Sequence, residues 1–494
     1  MRATFHLKTL AVAIATLSVA SMSNAAGLDR SGQDITAFLQ DGTYAEAVYT
    51  YIDADVSGFD SANNNPGSNG YVKGNATGDI AESYDFFRYG VKTDINDTFS
   101  IGILYDEPFG AAADYLGNND FVAQGNVDSS TKYLTQGKYT SFNDLNSDFN
   151  SARNNAVEEA NKAQGFAQQA GLAQQQGNLA EAGRLAALAQ DAKEKATGYK
   201  TEAEQLGAPL NAVKSELDSK GEGTNVEVRT ESLTAILGAK FGTNKEFQVY
   251  GGPVAQQVQA DVKLRGLAYG LANGYTAHIS SDKDIGWLAG IAYSKPEIAL
   301  KAALTYRSEI DHTLPIYEQY PVAGIKKGGD IDITTPKSVN FDFQTGINPT
   351  TLATAKVRWV PWGDFAIVPP VYNDVSKNLT KDDIGLPLVS YDKDQWQVEL
   401  GLAKRLAPKF AVSGTVGWDS GAGNPVTSLG PIEGYYSVGL GGKYDITENW
   451  AVSAGGKYLW FGDADGQIPT KQVVSKFEDN DGFALGVKLS YQAK

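Results

Sequence analysis

The 494-residue chain contains no cysteine. That removes a disulfide framework, and with it any thiolate metal or redox centre. Histidine is nearly absent as well: His6, His278 and His312 are the only three. A histidine zinc site or a hydrolytic triad therefore has almost no material, and no nucleophile-elbow motif surrounds any serine. No enzyme and no cofactor are expected. Basic charge is in deficit, 42 Lys and Arg against 58 Asp and Glu, which gives a formal charge of −16 and argues against a nucleic-acid partner. Also missing is an apolar run long enough to cross a bilayer as a helix, which takes about 20 residues.

The one apolar run of note, Leu10 to Val19, is short and lies in a leader. Arg2 and Lys8 supply its basic start, and Ser23-Asn24-Ala25 its small-residue cleavage signal. Residues 1–25 are read as a signal peptide, with a mature start at Ala26-Gly27-Leu28. Loss of Arg2 and Lys8 takes the formal charge from −16 to −18. Export without a spanning helix leaves periplasm, medium or outer membrane as the destination.

What the chain does have is alternation. In 434–446, Tyr436, Val438, Leu440, Tyr444 and Ile446 share one face of an extended strand; Ser437, Gly439, Gly441, Lys443 and Asp445 share the other. The pattern returns at 482–491, with Phe483, Leu485, Val487, Leu489 and Tyr491 against Ala484, Gly486, Lys488 and Ser490. Mean hydropathy is only −0.29, as expected when every second strand residue faces water. Many such strands, greasy on one side and polar on the other, point to an all-β, 14-stranded antiparallel transmembrane barrel.

Period two predicts strands at 45–57, 84–94, 98–106, 225–242, 246–261, 285–294, 297–308, 338–346, 351–361, 393–404, 409–418, 433–446, 450–461 and 481–492. Tight turns alternate with long connections, the longest being 107–224. Outer-membrane barrels share this asymmetry, with the long loops outside the cell. Residues 26–44 are read as a short N-terminal plug segment and 45–494 as the barrel. Trp287, Trp359, Trp362, Trp396, Trp418, Trp450 and Trp460 fall at or near strand ends, the place of an interfacial girdle.

One insertion, 145–222, departs from the sheet. Ala156, Ala160, Ala163, Ala167, Ala170 and Ala173 recur every three or four residues, as do Ala182, Leu185, Ala189, Ala192 and Ala196 after Gly177-Asn178. This predicts a helical hairpin with a small-residue seam, ending near Gly207-Ala208-Pro209. It is either a surface spacer or a cap over the barrel mouth.

Isolated charges fall on inward positions: Arg88, Lys92, Lys240, Lys301, Arg307, Lys356, Arg358, Glu399 and Lys443. Either they pair across strands and brace the interior, or the basic ones hold a ligand carboxylate. Glu107-Pro108-Phe109-Gly110 closes the third strand, and there Pro108 removes a ladder donor, so the wall either ends or opens sideways.

Several blocks resemble the FadL/TodX long-chain fatty-acid transporters. They are the start Ala26-Gly27-Leu28, Ile52-Asp53-Ala54-Asp55-Val56-Ser57-Gly58, Ala303-Leu304-Thr305-Tyr306-Arg307-Ser308-Glu309, and the closing hairpins with Trp418-Asp419-Ser420 and Asn449-Trp450. The resemblance implies a monomeric barrel, a small plug, and an outer groove for hydrophobic ligands. It also implies a kinked third strand with a lateral exit, which Pro108, Phe109 and Gly110 would form. Arg265 and Lys393 would meet the ligand carboxylate, and Ala26, Gly27 and Leu28 the ligand from the plug. The chain departs from the family in a shorter plug without its Asn-Pro-Ala motif, and in ending Tyr491-Gln492-Ala493-Lys494 rather than on an aromatic residue. The function so implied is passive uptake of long-chain fatty acids or similar hydrophobic compounds across the outer membrane, amid its lipid and lipopolysaccharide. The alternatives are a water-filled porin for small polar solutes and a barrel that displays the helical hairpin.

Overall fold

The computed structural model describes residues 28–493, apart from 64–69, 117–118, 124–125, 219–220 and 322. The leader, with Ala26 and Gly27, lies outside the described residues.

Fourteen antiparallel strands close into a barrel. They are β1 (Tyr44–Asp55), β2 (Tyr84–Asp94), β3 (Phe99–Asp106), β4 (Asn225–Phe241), β5 (Phe247–Lys263), β6 (Thr276–Lys295), β7 (Leu300–Arg307), β8 (Ser338–Asn348), β9 (Thr351–Val360), β10 (Gln395–Ala407), β11 (Phe410–Asp419), β12 (Glu433–Asp445), β13 (Trp450–Gly462) and β14 (Asp481–Gln492). Closure is made by β1, where Tyr44 faces Lys92 of β2 on one side and Gln492 of β14 on the other. A closed ladder leaves no free sheet edge, so around most of the circumference the strand amides pair with one another without help from water.

The amphipathy runs as the alternation predicts. On β12, Tyr436 and Leu440 are 66% and 77% exposed, while Ser437 and Lys443 are buried. On β14, Phe483, Leu485, Val487 and Leu489 are exposed, while Ala484, Lys488 and Ser490 are buried. Bare leucines in a continuous belt fit acyl chains and not water. Exposed rings rim the belt: Phe99, Phe241, Phe247 and Trp450 toward the short turns, Trp287, Trp396, Trp418 and Trp460 toward the long loops. Trp362 is the exception among the tryptophans. It is fully buried within the long-loop end, because the chain folds back over the barrel mouth just after β9.

The long connections carry structure of their own. The segment 309–337, expected to be a loop, is a β-hairpin of Ile310–Tyr320 and Ile325–Thr335 that prolongs β7 and β8 past the belt. Five short strands from three of the connections, Ser57–Ser61, Lys73–Asp79, Val426–Thr427, Ala464–Gln467 and Val473–Phe477, form a second sheet there. The insertion holds helices α1 (Val127–Leu134), α2 (Phe142–Gln175) and α3 (Leu179–Asp218). Ser141 caps α2 by accepting from the Asp144 amide, and the turn at Gly177 takes a φ of +77° that glycine tolerates. Alanine and leucine seam positions Ala152, Ala173, Leu185 and Ala192 are buried between the two long helices. Contrary to the expected stop near 207–209, α3 continues through Pro209. Leu206, Leu210, Ala212 and Val213 beside it are buried at the base, and that packing outweighs the lost amide donor.

Candidate functional site

Residues 28–43 fill the lumen, and the inward charges hold them there. Arg358 Nε lies 2.5 Å from Asp29 Oδ2, and Arg358 also donates to Gln33 Oε1 at 3.2 Å. Lys356 meets Asp34 at 2.8 Å, with Arg88 on the same carboxylate at 3.6 Å. Lys92 donates to the carbonyl of Gln40 at 2.6 Å, and Lys301 to that of Leu39. Asn340 donates to the Gly32 carbonyl at 2.7 Å. Of the nine inward charges, five therefore strap the plug. Others brace the wall, with Lys240 against Asp94 and Lys457 against Glu399. Below the straps, Ile35, Phe38 and Leu39 pack on Leu104, Ile236 and Tyr250. Short as it is, the plug is fully seated.

The plug also reaches the wall. Between Asp106↔Ser232 and Gly110↔Arg229 the third strand spends four steps where β4 spends three. That is a one-residue bulge centred on Pro108, and a bulge bends its strand away from the neighbour. The Phe109 amide is satisfied by Thr230 Oγ1 at 2.8 Å, so the distortion is held in place. On the other side, β2 and β3 stay paired only from Asp94↔Ser100 to Tyr89↔Tyr105. The next backbone bridge is Ala81↔Ala113. Between these points the wall has a seam without ladder bonds, crossed by the Phe87 amide donating to Glu107 Oε1 at 3.2 Å. From inside, the plug fills it like a short strand: Arg30 N donates to Pro108 O at 2.7 Å, and Gly110 N to Leu28 O at 2.6 Å.

Leu28 stands between two apolar hollows. The larger, ≈ 800 Å³ and partly open to solvent, is lined by Leu28, Val56, Ile80, Gly110, Val226, Val228, Tyr391 and Leu429, among others. The smaller, ≈ 340 Å³, is lined by Leu28, Phe109, Val228, Val258, Ile333, Trp362 and Phe365. Its floor is aromatic: Trp362 meets Phe109, Phe365 and Tyr391 edge-on at 5.6, 5.2 and 5.5 Å. Trp362 donates its indole N–H to Gln395 at 2.8 Å, which leaves only carbon facing the hollow. Such a space takes an apolar body and offers it almost no polar partner. Among the described residues no cluster of His, Asp and Glu has the geometry of a metal site.

Of the residues singled out in the sequence, Leu28, Phe109 and Gly110 line these hollows, and Pro108 makes the bulge beside them. Arg265 and Lys393 line neither. Arg265 is buried, with Glu222 at 2.7 Å and the carbonyls of Leu264 and Tyr275 taking its donors. Lys393 is exposed. Trp362, Phe365, Ile367 and Tyr391 carried no signal as site residues, since an apolar cluster inside a long connection does not announce what it covers. The lid over them is fastened by Glu318, which accepts from the amides of Val371 and Tyr372 at the start of helix α4 (Pro370–Thr380) and from the Tyr275 hydroxyl at 2.8 Å. Burial, and then the Glu318 charge, push the Tyr275 hydroxyl well above its ordinary value, so it remains a donor.

No sequence-family model and no curated protein matches the chain. Solved structures do. A Pseudomonas aeruginosa FadL homologue superposes with a TM-score of 0.54 at 12% identity, over 91% of this chain and 90% of that one. A mutant of the TodX monoaromatic hydrocarbon channel gives 0.52 at 12% identity, over 96% and 100%. The Pseudomonas putida toluene transporter TodX gives 0.50 at 10% identity, over 96% and 97%. The fold is FadL-like. The likeness covers nine-tenths or more of each chain at 10–12% identity, and it is a likeness of fold.

Proposed function

We propose that this protein is an exported, outer-membrane channel for passive uptake of long-chain fatty acids or similar hydrophobic compounds. The observation that carries the reading is the wall seam at Pro108–Gly110, flanked by two apolar hollows and stopped by Leu28 of the plug. A hydrophobic solute is drawn from water into such hollows by the same transfer that draws it on into lipid. Withdrawal of Leu28 joins the hollows to the seam, and the solute leaves sideways into the bilayer without crossing the strapped lumen. No covalent chemistry is needed. The long-loop end, with its helices, faces outward in this scheme. The neighbours of like fold named as hydrocarbon channels agree with it, and a lumen filled by charged straps weighs against a water-filled porin.

The test uses the absence of cysteine. Asp29 and Phe109 form a non-hydrogen-bonded antiparallel pair, the spacing that a disulfide spans with little strain. Asp29→Cys with Phe109→Cys, oxidised, fixes the plug to the wall. Whole-cell oleate uptake should stop on oxidation and return on reduction. Equal uptake by the oxidised and reduced forms would sink the lateral route.

A further inference from the structure

Arg30 is the plug residue that enters the seam, and its surroundings are incomplete. The side chain is 3% exposed, and its Nε has no hydrogen-bond partner. Its guanidinium carbon lies 4.0 Å above the Tyr84 ring. Among the described residues no carboxylate comes within ion-pair distance of it, whereas Arg88, Arg265 and Arg358 each have one. Glu107, the nearest acid in the seam's sequence, is engaged by the Phe87 amide. Arg307 also lacks an ion pair, but it donates to Thr234 and adjoins neither Leu28 nor Gly110 in sequence. Glu107 and Glu227 act on Arg30 only from beyond contact, and a buried guanidinium without a carboxylate in contact is an unfavourable arrangement for a fold to retain.

Gly110 explains how Arg30 is accommodated. A β-carbon at 110 would overlap the guanidinium carbon and Nε of Arg30, so only glycine leaves the cation its place. Leu28 and Gly110 both line the larger hollow; Arg30 does not line it, but its guanidinium lies against Gly110, directly behind that part of the wall. An apolar cavity with a forked cation behind one glycine of its wall, free of any ion pair, matches an amphiphile: a hydrocarbon tail with a carboxylate end. The fork can take both carboxylate oxygens at once, and a buried site strengthens the bond.

We propose that Arg30 is the head-group site of the seam, binding the carboxylate of a ligand whose tail occupies the hollows around Leu28. This rests on the channel reading above and adds the ligand's charge to it. Binding draws the guanidinium off Tyr84, which loosens the plug strand from Pro108 and Gly110, so that an acid carries its own release signal where a neutral hydrocarbon does not.

The full-length protein in detergent micelles is titrated with palmitate and with 1-hexadecanol, which share a tail, and Trp fluorescence reports entry. The wild type should bind palmitate about tenfold more tightly than the alcohol, the worth of a charged hydrogen-bonded pair. Arg30→Gln should lose that advantage and leave alcohol binding unchanged, and Arg30→Lys should recover part of it. Gly110→Ala, which keeps the arginine but removes its place, should lose the same advantage; it serves if Arg30→Gln fails to assemble. Equal weakening of both ligands, or of neither, overturns the role of Arg30 while sparing the channel. Failure of the wild type to bind either ligand overturns both.

Discussion

Asp29 and Arg358, 329 residues apart in sequence, form a buried ion pair whose acid side chain is 0% and basic side chain 5% exposed. It ties the first described turn of the plug to β9. Removing one member of such a pair costs about 3–5 kcal/mol, because the other is left buried and alone. Arg358→Gln should therefore loosen the plug and raise ion leakage through the protein in planar bilayers. Adding Asp29→Asn to it should restore part of the seal. An unchanged conductance in the single variant would mean that the remaining straps hold the plug unaided.

Trp362 bears on stability and ligand entry together. Trp362→Ala removes the floor of the smaller hollow and should cost about 3–5 kcal/mol in denaturant unfolding. It should also free the Phe109 ring, so that the seam exchanges amide hydrogens faster around 107–110. A variant as stable as the parent would show that the lid, rather than this ring, organises the long-loop end.

The distal helical hairpin should be dispensable for transport. Its buried side chains from Ala156 to Tyr199 face the partner helix, and the apolar base at Tyr139, Leu145, Leu206 and Leu210 lies below that stretch. Replacing 156–199 with a short Gly-Ser linker should leave heat-modifiable migration and oleate uptake as they are. A loss of uptake in an assembled barrel would make the hairpin part of the capture surface.

The barrel was legible because period-two alternation is local: ten residues of β12 or β14 suffice to assign both faces. The lumenal straps were not, since Asp29–Arg358 and Asp34–Lys356 join residues that only closure brings together. Trp362 misled for a related reason, as a tryptophan just beyond a strand looks the same whether it meets lipid or turns inward. The hairpin at 310–335 did carry a signal in Ile310, Leu314, Ile316 and Tyr320 at every second or fourth position. Pro315 and the glycines Gly328 and Gly329 masked it. Of the candidate site, the kink could be read because proline has a defined backbone cost. Arg30 could not, since its isolation is a property of everything around it.

The missing ladder between Tyr89/Tyr105 and Ala81/Ala113 also sets where the molecule is weakest. A hoop with all its staves joined shares mechanical load around the whole circumference; one unglued joint concentrates it. Heating or pulling should part the staves there before anywhere else, so the order in which the cylinder disassembles is written into the same few residues that are proposed as the exit.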